Sequence, residues 1–335
     1  MKAVAYTHCR PVTAEDALVD LDLPDPLPHR RDLLVEVKAV SVNPVDTKLR
    51  RAADPVGEPR VLGFDAAGIV RGLGPDVAHF GLGDEVFYAG SILRAGSNAE
   101  LQVVDERIVG RRPRHLTWSD SAAVPLVAIT AWEMLFDRLA IGKLGPAAGT
   151  LLIIGGAGGV GSMAIQLARQ LTPLRVIATA SRPETRAWCL ELGAHAVIDH
   201  RGDIPAQLAA EGAKSVDLIF CTNASEQHFP AMVKSIRPQG RIGLIDDPRG
   251  IDILELKPKS VSLHWEGMFT RSSFETEDMI EQQHLLNRVA ALLEEGKLKS
   301  PVAEHFGRIE AKALLRAHAL IESGRARGKI VLEGF

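Results

Sequence analysis

The segment that most restricts how this chain can fold is Leu151-Leu152-Ile153-Ile154-Gly155-Gly156-Ala157-Gly158-Gly159-Val160-Gly161, an apolar run that breaks into glycines and continues as an amphipathic stretch to Ala168. Gly156, Gly158 and Gly161 fill the spacing G-x-G-x-x-G. In that spacing the first glycine permits a tight turn, the second lets backbone approach a pyrophosphate, and the third lets a helix pack on its strand. Free N–H groups and the dipole at the helix start favour an anion there. Further strand candidates follow at Val176–Ala180, Ala196–Asp199, Val216–Cys221, Arg241–Ile245 and Val261–His264, with helix-like stretches between most of them. This alternation requires a parallel sheet with crossover helices. The expectation is a complete doubly wound Rossmann sheet that binds a dinucleotide through Gly156, Ala157, Gly158, Gly159, Val160 and Gly161.

Before Pro125 the texture is different. Short strand candidates, Leu33–Val37, Gly68–Val70 and Glu85–Tyr88, are separated by Gly and Pro, which reads as a β-rich unit. The tail offers helix candidates at Glu277–Glu295 and Glu310–Ser323 and a closing strand at Lys329–Leu332, expected to pack back on that first unit. A chain of 335 residues suits two domains of ordinary size. With 39 basic and 42 acidic side chains the net charge is only −3, so no global field draws nucleic acid or an anionic membrane. The basic run Arg107–Arg114 lacks the interleaved aromatics of a nucleic-acid site. The longest apolar stretch, Ala122–Ala131, is broken by Pro125 and falls short of the roughly 18 residues a span requires. Neither nucleic acid nor membrane is an expected partner. Cys9, Cys189 and Cys221 are an odd, scattered set, which excludes a disulfide scaffold and a four-cysteine metal lobe. No secretory signal is visible in the first residues, so a reducing cytoplasm is expected.

The end of the second nucleotide-domain strand selects the cofactor. Where an acidic side chain would bind the ribose diol of NAD, the sequence reads Ala180-Ser181-Arg182-Pro183. A ribose 2′-phosphate needs donors and positive charge, which Ser181, Arg182 and Arg186 can supply. The cofactor expected is NADPH.

At a wider scale the chain resembles the medium-chain dehydrogenase/reductase superfamily, and within it the zinc-type alcohol dehydrogenase-like and quinone oxidoreductase-like proteins. The resemblance rests on Val42-Asn43-Pro44-Val45-Asp46, Leu62–Gly68, Gly83–Val86, Thr130–Glu133, the glycine loop, Thr179–Thr185 and Gly328–Val331. It implies an α/β protein with a GroES-like β-rich catalytic domain, residues 1–124 and 267–335, and a Rossmann domain, residues 125–266, with a cleft between them. It also implies pairing of relatives through the nucleotide domain, so a homodimer is expected. By the same resemblance Asn43, Asp46 and Thr130 are the catalytic candidates, with Asn43 a carbonyl donor and Thr130 on the nicotinamide side. His200, Asn223, Phe269 and Lys329 join the cofactor-binding candidates: His200 near an adenosine phosphate, Asn223 at the ribose, Phe269 walling the nicotinamide and Lys329 reaching the phosphates.

The departures from the zinc enzymes carry as much information. Those enzymes hold zinc with a cysteine, a histidine and a second cysteine or an acidic residue. Here Asn43, Phe64 and an apolar residue near Leu126 stand at those positions, and no metal site is expected. Without a Lewis acid an unactivated alcohol is a poor substrate. Quinones, α,β-unsaturated carbonyls and diketones delocalise incoming negative charge themselves, so positioning and hydrogen bonds suffice. The expected activity is zinc-independent, NADPH-dependent hydride transfer to such a small-molecule carbonyl or quinone. Two alternatives stand beside it: a zinc-dependent alcohol dehydrogenase with atypical ligands, and a non-catalytic NADPH-binding protein. The tyrosine-lysine pair of short-chain dehydrogenases and the G-x-S-x-G elbow of hydrolases are both missing from the sequence.

Overall fold

A computed structural model describes residues 1–142 and 149–335. The chain divides into two compact units, Met1–Ile129 with Phe269–Phe335, and Thr130–Met268. The sequence texture changes at Pro125 because a helix begins there. The division itself falls inside that helix, Pro125–Trp132.

The first unit opens with β1 (Lys2–Tyr6), β2 (Val19–Asp22) and β3 (Asp32–Val42), then α1 (Pro44–Ala52), β4 (Arg60–Val61), β5 (Ala66–Leu73), β6 (Glu85–Tyr88), β7 (Leu101–Asp105), β8 (Val109–Arg111), α2 (Trp118–Ala122) and α3 (Pro125–Trp132). The eleven-residue β3 alternates buried and partly exposed positions along most of its length, the period of a strand with one face on a core. It pairs antiparallel with both β5 and β7. α1 starts after Asn43 with Pro44, whose missing N–H costs nothing in the first turn.

The second unit holds β9 (Thr150–Ile154), α4 (Gly159–Leu171), β10 (Arg175–Thr179), α5 (Pro183–Glu191), β11 (Ala196–Ile198), α6 (Ile204–Ala210), β12 (Val216–Cys221), α7 (Ser225–Ser235), β13 (Ile236–Leu244) and β14 (Ser262–Trp265). Its strands form one parallel sheet in the order β11-β10-β9-β12-β13-β14. Leu152 lies in register between Ile177 and Ile219, and all three are buried, as the central strands of a sheet covered on both faces require. Cys189 and Cys221 are buried among apolar neighbours, which pushes both thiols up to about 12.

The tail returns to the first unit as α8 (Thr270–Phe274), α9 (Glu281–Glu294), β15 (Val302–His305), α10 (Ala311–Glu322) and β16 (Lys329–Glu333). β16 pairs antiparallel with β3, Ile330 opposite Val42 and Glu333 opposite Ala39. That pairing brings Lys329 to the end of β3, beside the start of α1. Among the described residues no helix is long and apolar enough to cross a membrane.

Candidate functional site

The glycine loop joins β9 to α4, and each glycine answers to a different constraint. Gly155 takes φ +84°, and a Cβ there would lie 2.3 Å from Thr222 Oγ1 and 2.4 Å from Asn223 Oδ1. The tight turn therefore belongs to Gly155, a correction to its assignment to Gly156. Gly156 is required by packing, since its Cβ would meet the Ala178 Cβ at 2.7 Å. Gly161 lets α4 close on the strand, where a Cβ would stand 2.3 Å from Gly155 O. At Gly158 the nearest atom to a Cβ is Gly155 O at 3.6 Å, an ordinary contact, so packing within the protein does not require glycine there. The Ser162 N–H donates to Gly158 O to start the helix, and the N–H groups of Gly159, Val160 and Gly161 precede that first bond. These features fit a pyrophosphate: space at Gly158, backbone donors and a helix N-terminus.

At the end of β10, Arg182 caps α5 and its Nε lies 3.2 Å from Glu184 in a half-exposed pair. Ser181 is partly exposed beside it. Arg186 has another task. Its guanidinium donates to Ala180 O at 3.3 Å and Val197 O at 2.6 Å, bracing the ends of β10 and β11, which corrects its expected place as a phosphate ligand. Arg201, which the sequence reading passed over, donates to Ser181 O at 3.1 Å and pairs with Asp199, with its side chain 65% exposed. That pairing holds the Asp199 carboxyl down at about 2, so the acid there is already neutralised. The signal for Arg201 was a basic residue just after the third strand, visible only once Ser181 and that loop are known to touch. His200 stacks edge-on against His228 with centroids 5.9 Å apart, and burial lowers its pKa, so it offers a neutral ring. Asn223 lies against Gly155 at the loop, near the ends of β9 and β12. Thr130 is buried on α3.

In the first unit the catalytic candidates form a closed polar cluster. Lys329 Nζ donates to Val42 O at 3.1 Å, to Asp65 Oδ2 at 2.9 Å and to Asn43 Oδ1. Asn43 Nδ2 donates to Asp65 Oδ2 at 2.8 Å and to Phe64 O at 3.3 Å. Asp65 Oδ1 accepts from the Leu126 N–H at 2.8 Å. All three polar side chains are at most 3% exposed. Two expectations are corrected here. Lys329 does not reach for cofactor phosphates, because its ammonium is spent on three oxygens of its own unit. Asn43 has no donor left for a substrate carbonyl, because both amide hydrogens are engaged. Asp46 also differs from its expected role: one oxygen accepts from Asn43 N–H at 2.7 Å and the other from Gly63 N–H at 2.9 Å, so it ties the start of α1 to the turn before β5. Burial pushes its carboxyl up to about 7, with those N–H groups and Lys329 pulling the other way. Burial raises Asp65 too, opposed first by Lys329.

Phe64 stands where zinc enzymes carry histidine, and its ring meets Phe269 edge-on, centroids 5.4 Å apart at 74°. Phe269 is thus an aromatic partner of Phe64 and is itself partly exposed. An amide, a phenyl ring and the alkyl chain of Leu126 are not a zinc donor set, and the acceptor oxygens nearby already hold an ammonium.

Family models for the alcohol dehydrogenase GroES-like domain and for zinc-binding dehydrogenase match residues 29–114 and 192–332. A zinc-type alcohol dehydrogenase-like protein of Staphylococcus aureus strain MSSA476 is 41% identical over 311 residues, 92% of each chain. A crystal structure of a Rhizobium etli CFN 42 protein, named for a zinc-dependent alcohol dehydrogenase, superposes with TM-score 0.98 at 54% identity, covering 100% of this chain and 98% of that one. A mycobacterial protein complexed with NADPH superposes with TM-score 0.84 at 25% identity, over 99% and 100% of the two chains. The chain belongs to the medium-chain dehydrogenase/reductase superfamily of oxidoreductases, among its zinc-type alcohol dehydrogenase-like members.

Proposed function

We propose that this protein is a zinc-independent, NADPH-dependent reductase that delivers hydride to an activated carbonyl acceptor: a quinone, an α,β-unsaturated carbonyl or a diketone. The observation that carries the reading is Lys329, whose ammonium takes up Asn43 Oδ1 and Asp65 Oδ2 beside a phenyl ring in the position of a metal-binding histidine. The cluster is a closed set of hydrogen bonds whose ammonium and carboxylate offset each other, and it has no open coordination site. An acceptor that spreads incoming negative charge over its own conjugated system is the substrate class such a site can serve.

When bound, the reduced nicotinamide supplies the hydride. The N–H groups of Gly159, Val160 and Gly161 hold the pyrophosphate. Ser181, Arg182 and Arg201 hold the 2′-phosphate, the two arginines having exposed ion pairs with Glu184 and Asp199 that are readily exchanged. Asn223 meets the ribose and Thr130 the nicotinamide side. Lys329 fixes the orientation of the Asn43 amide, since an ammonium can only donate and a carboxylate can only accept. The edge strand β14, with Trp265 half exposed, supports a homodimer built on the second unit. Light scattering on a sizing column checks that part.

The central test is oxidation of NADPH and NADH, side by side, by metal-stripped protein with an ortho-quinone and a simple enone. Turnover with NADPH alone, unchanged by added zinc, is expected. Turnover that appears only with zinc would overturn the metal-free reading, and saturable NADPH binding without turnover would leave a binding protein.

A further inference from the structure

The loop that leaves β11 carries an acid and a base two residues apart, Asp199 and Arg201. Asp199 follows the last residue of β11, and one side chain of α6 fixes its backbone from both sides. The Asp199 N–H donates to Gln207 Oε1 and Gln207 Nε2 donates to Asp199 O, each at 2.8 Å. The carboxylate, so placed, gathers Arg201. Its Oδ1 accepts from the Arg201 backbone N–H at 2.9 Å and from Nε at 3.1 Å, and its Oδ2 accepts from Nη2 at 2.8 Å. Carboxylate and guanidinium thus meet along a two-point edge, the arrangement that adds geometric specificity to charge.

A guanidinium has five N–H bonds, one on Nε and two on each Nη. In Arg201 the Nε hydrogen and one Nη2 hydrogen point to Asp199, and the other Nη2 hydrogen goes to Ser181 O at 3.1 Å. Among the described residues nothing accepts from Nη1. A phosphate therefore has only Nη1 open to it. To gain a two-point edge of the fork it must displace Asp199 from Nε and Nη2, or Ser181 O from Nη2. If it stays on Nη1 it lies near the Asp199 charge; if it takes the Nε edge, the carboxylate loses its cation. In both arrangements Asp199 works against a 2′-phosphate, whereas a plain 2′-hydroxyl leaves the pair as it is.

We propose that Asp199 is a specificity-determining residue: an internal carboxylate that competes with the 2′-phosphate of the cofactor for Arg201 and holds the preference for NADPH over NADH below what the arginines alone would give. The inference rests on the reading that Ser181, Arg182 and Arg201 form the 2′-phosphate site. The two side chains are 31% and 65% exposed, so water and salt weaken their pair and the competition is a matter of several-fold. Asp199 is a competitor at every working pH, because the hydrogen bonds from the Arg201 side chain hold its pKa down at about 2.

The test is equilibrium titration of the full chain with NADPH and NADH, and with adenosine 2′,5′-bisphosphate and AMP, which differ in the same phosphate without a nicotinamide. Asp199→Asn keeps the shape of the side chain and the backbone bonds to Gln207 but removes the charge. It is expected to tighten NADPH and the bisphosphate about three- to tenfold and to leave NADH and AMP within about twofold. Asp199→Ser, which shortens the side chain, should follow it. In an Arg201→Ala background the gain should shrink to about twofold or less, there being no cation to release. NADPH bound no more tightly by either Asp199 variant would overturn the proposal; weaker binding would mean that Asp199 holds Arg201 in place for the phosphate. A gain of undiminished size in the Arg201→Ala background would overturn it too, since the carboxylate would then act on the phosphate directly. If Arg182→Ala and Arg201→Ala both leave the ratio of the NADPH and NADH constants unchanged, the 2′-phosphate is not held here and the cofactor reading falls together with the inference. If they lower the preference while Asp199→Asn changes nothing, only the inference falls.

Discussion

The first unit buries one ammonium against one carboxylate and an amide, whereas the second buries the Glu266 carboxyl against a partly exposed guanidinium, that of Arg138. Lys329, Asp65 and Asn43 close on each other with every polar atom engaged, and the charges cancel. In the second unit Glu266 accepts from Arg138 through one oxygen, and its other oxygen, buried, is left without a donor. A closed and fully hydrogen-bonded buried cluster is rigid. A buried carboxyl with an unmet oxygen holds its proton more tightly, which makes it a place where pH acts on the protein.

The strongest blow to this comparison is to unbalance the first cluster. Lys329→Met leaves Asp65 charged and buried beside an amide oxygen without its donor, and is expected to cost about 3–5 kcal/mol in denaturant unfolding. Lys329→Met with Asp65→Asn removes the stranded charge and should recover more than half of that loss. A single variant as stable as wild type would mean that the two clusters are not different in kind.

The second cluster should show itself in the pH dependence of stability. Glu266 is raised from about 4.5 in the unfolded chain to about 8 in the fold, so the folded state holds its proton more tightly. Stability from that proton is complete below pH 4.5 and is lost as pH rises through 8. Asp46, raised to about 7, acts in the same direction over a lower window. At about 1.4 kcal/mol per pH unit for each group, a loss of roughly 4–7 kcal/mol between pH 5 and 8 is expected, levelling off above. Glu266→Gln should remove the part of the fall between pH 7 and 8, and an unchanged slope there would show that Glu266 does not hold its proton in that range.

The nucleotide sheet was largely legible in the sequence because its signals are local. Val216–Cys221 is found at its predicted limits, and the other strands differ by a few residues at their ends, most at β13, which begins at Ile236 instead of Arg241. The polar clusters were not legible, because their members meet only through the fold. Asp65 and Lys329 are 264 residues apart, and nothing near Gly328-Lys329-Ile330 announces that β16 will lie along β3. Asn43 and Asp46 were recognised as a motif, but a motif states residue types and not which hydrogens are already spent. Arg186 misled for the same reason: a basic residue near the tip reads as a phosphate ligand until two backbone carbonyls are found to hold it.

The cofactor pocket sharpens the contrast, being built from groups with loosely held partners. Arg182→Ala is expected to weaken NADPH by roughly 10- to 100-fold and leave NADH nearly unchanged, as the loss of one charge-assisted hydrogen bond implies. Arg201→Ala should do the same more mildly, its side chain being the more exposed. Arg186→Ala should instead weaken both cofactors together by loosening the ends of β10 and β11. Equal losses for both cofactors in Arg182→Ala, read by fluorescence titration, would remove that residue from the 2′-phosphate site.

The smallest effect on the fold belongs to Gly158. Its φ of −73° and ψ of 172° are open to any residue, and a Cβ there makes no contact closer than 3.6 Å. Gly158→Ala should therefore change unfolding free energy by no more than about 0.5 kcal/mol, the gain from a less flexible unfolded chain offsetting a poorer helix cap. The added methyl nevertheless stands where backbone would approach a pyrophosphate, so NADPH and NADH should both bind about tenfold more weakly. Gly161→Ala gives the opposite pattern, because its Cβ would press on Gly155 O at 2.3 Å and disturb the fold itself. A Gly158→Ala variant that binds both nucleotides at full strength would mean that the open space in front of this loop is not where the pyrophosphate lies.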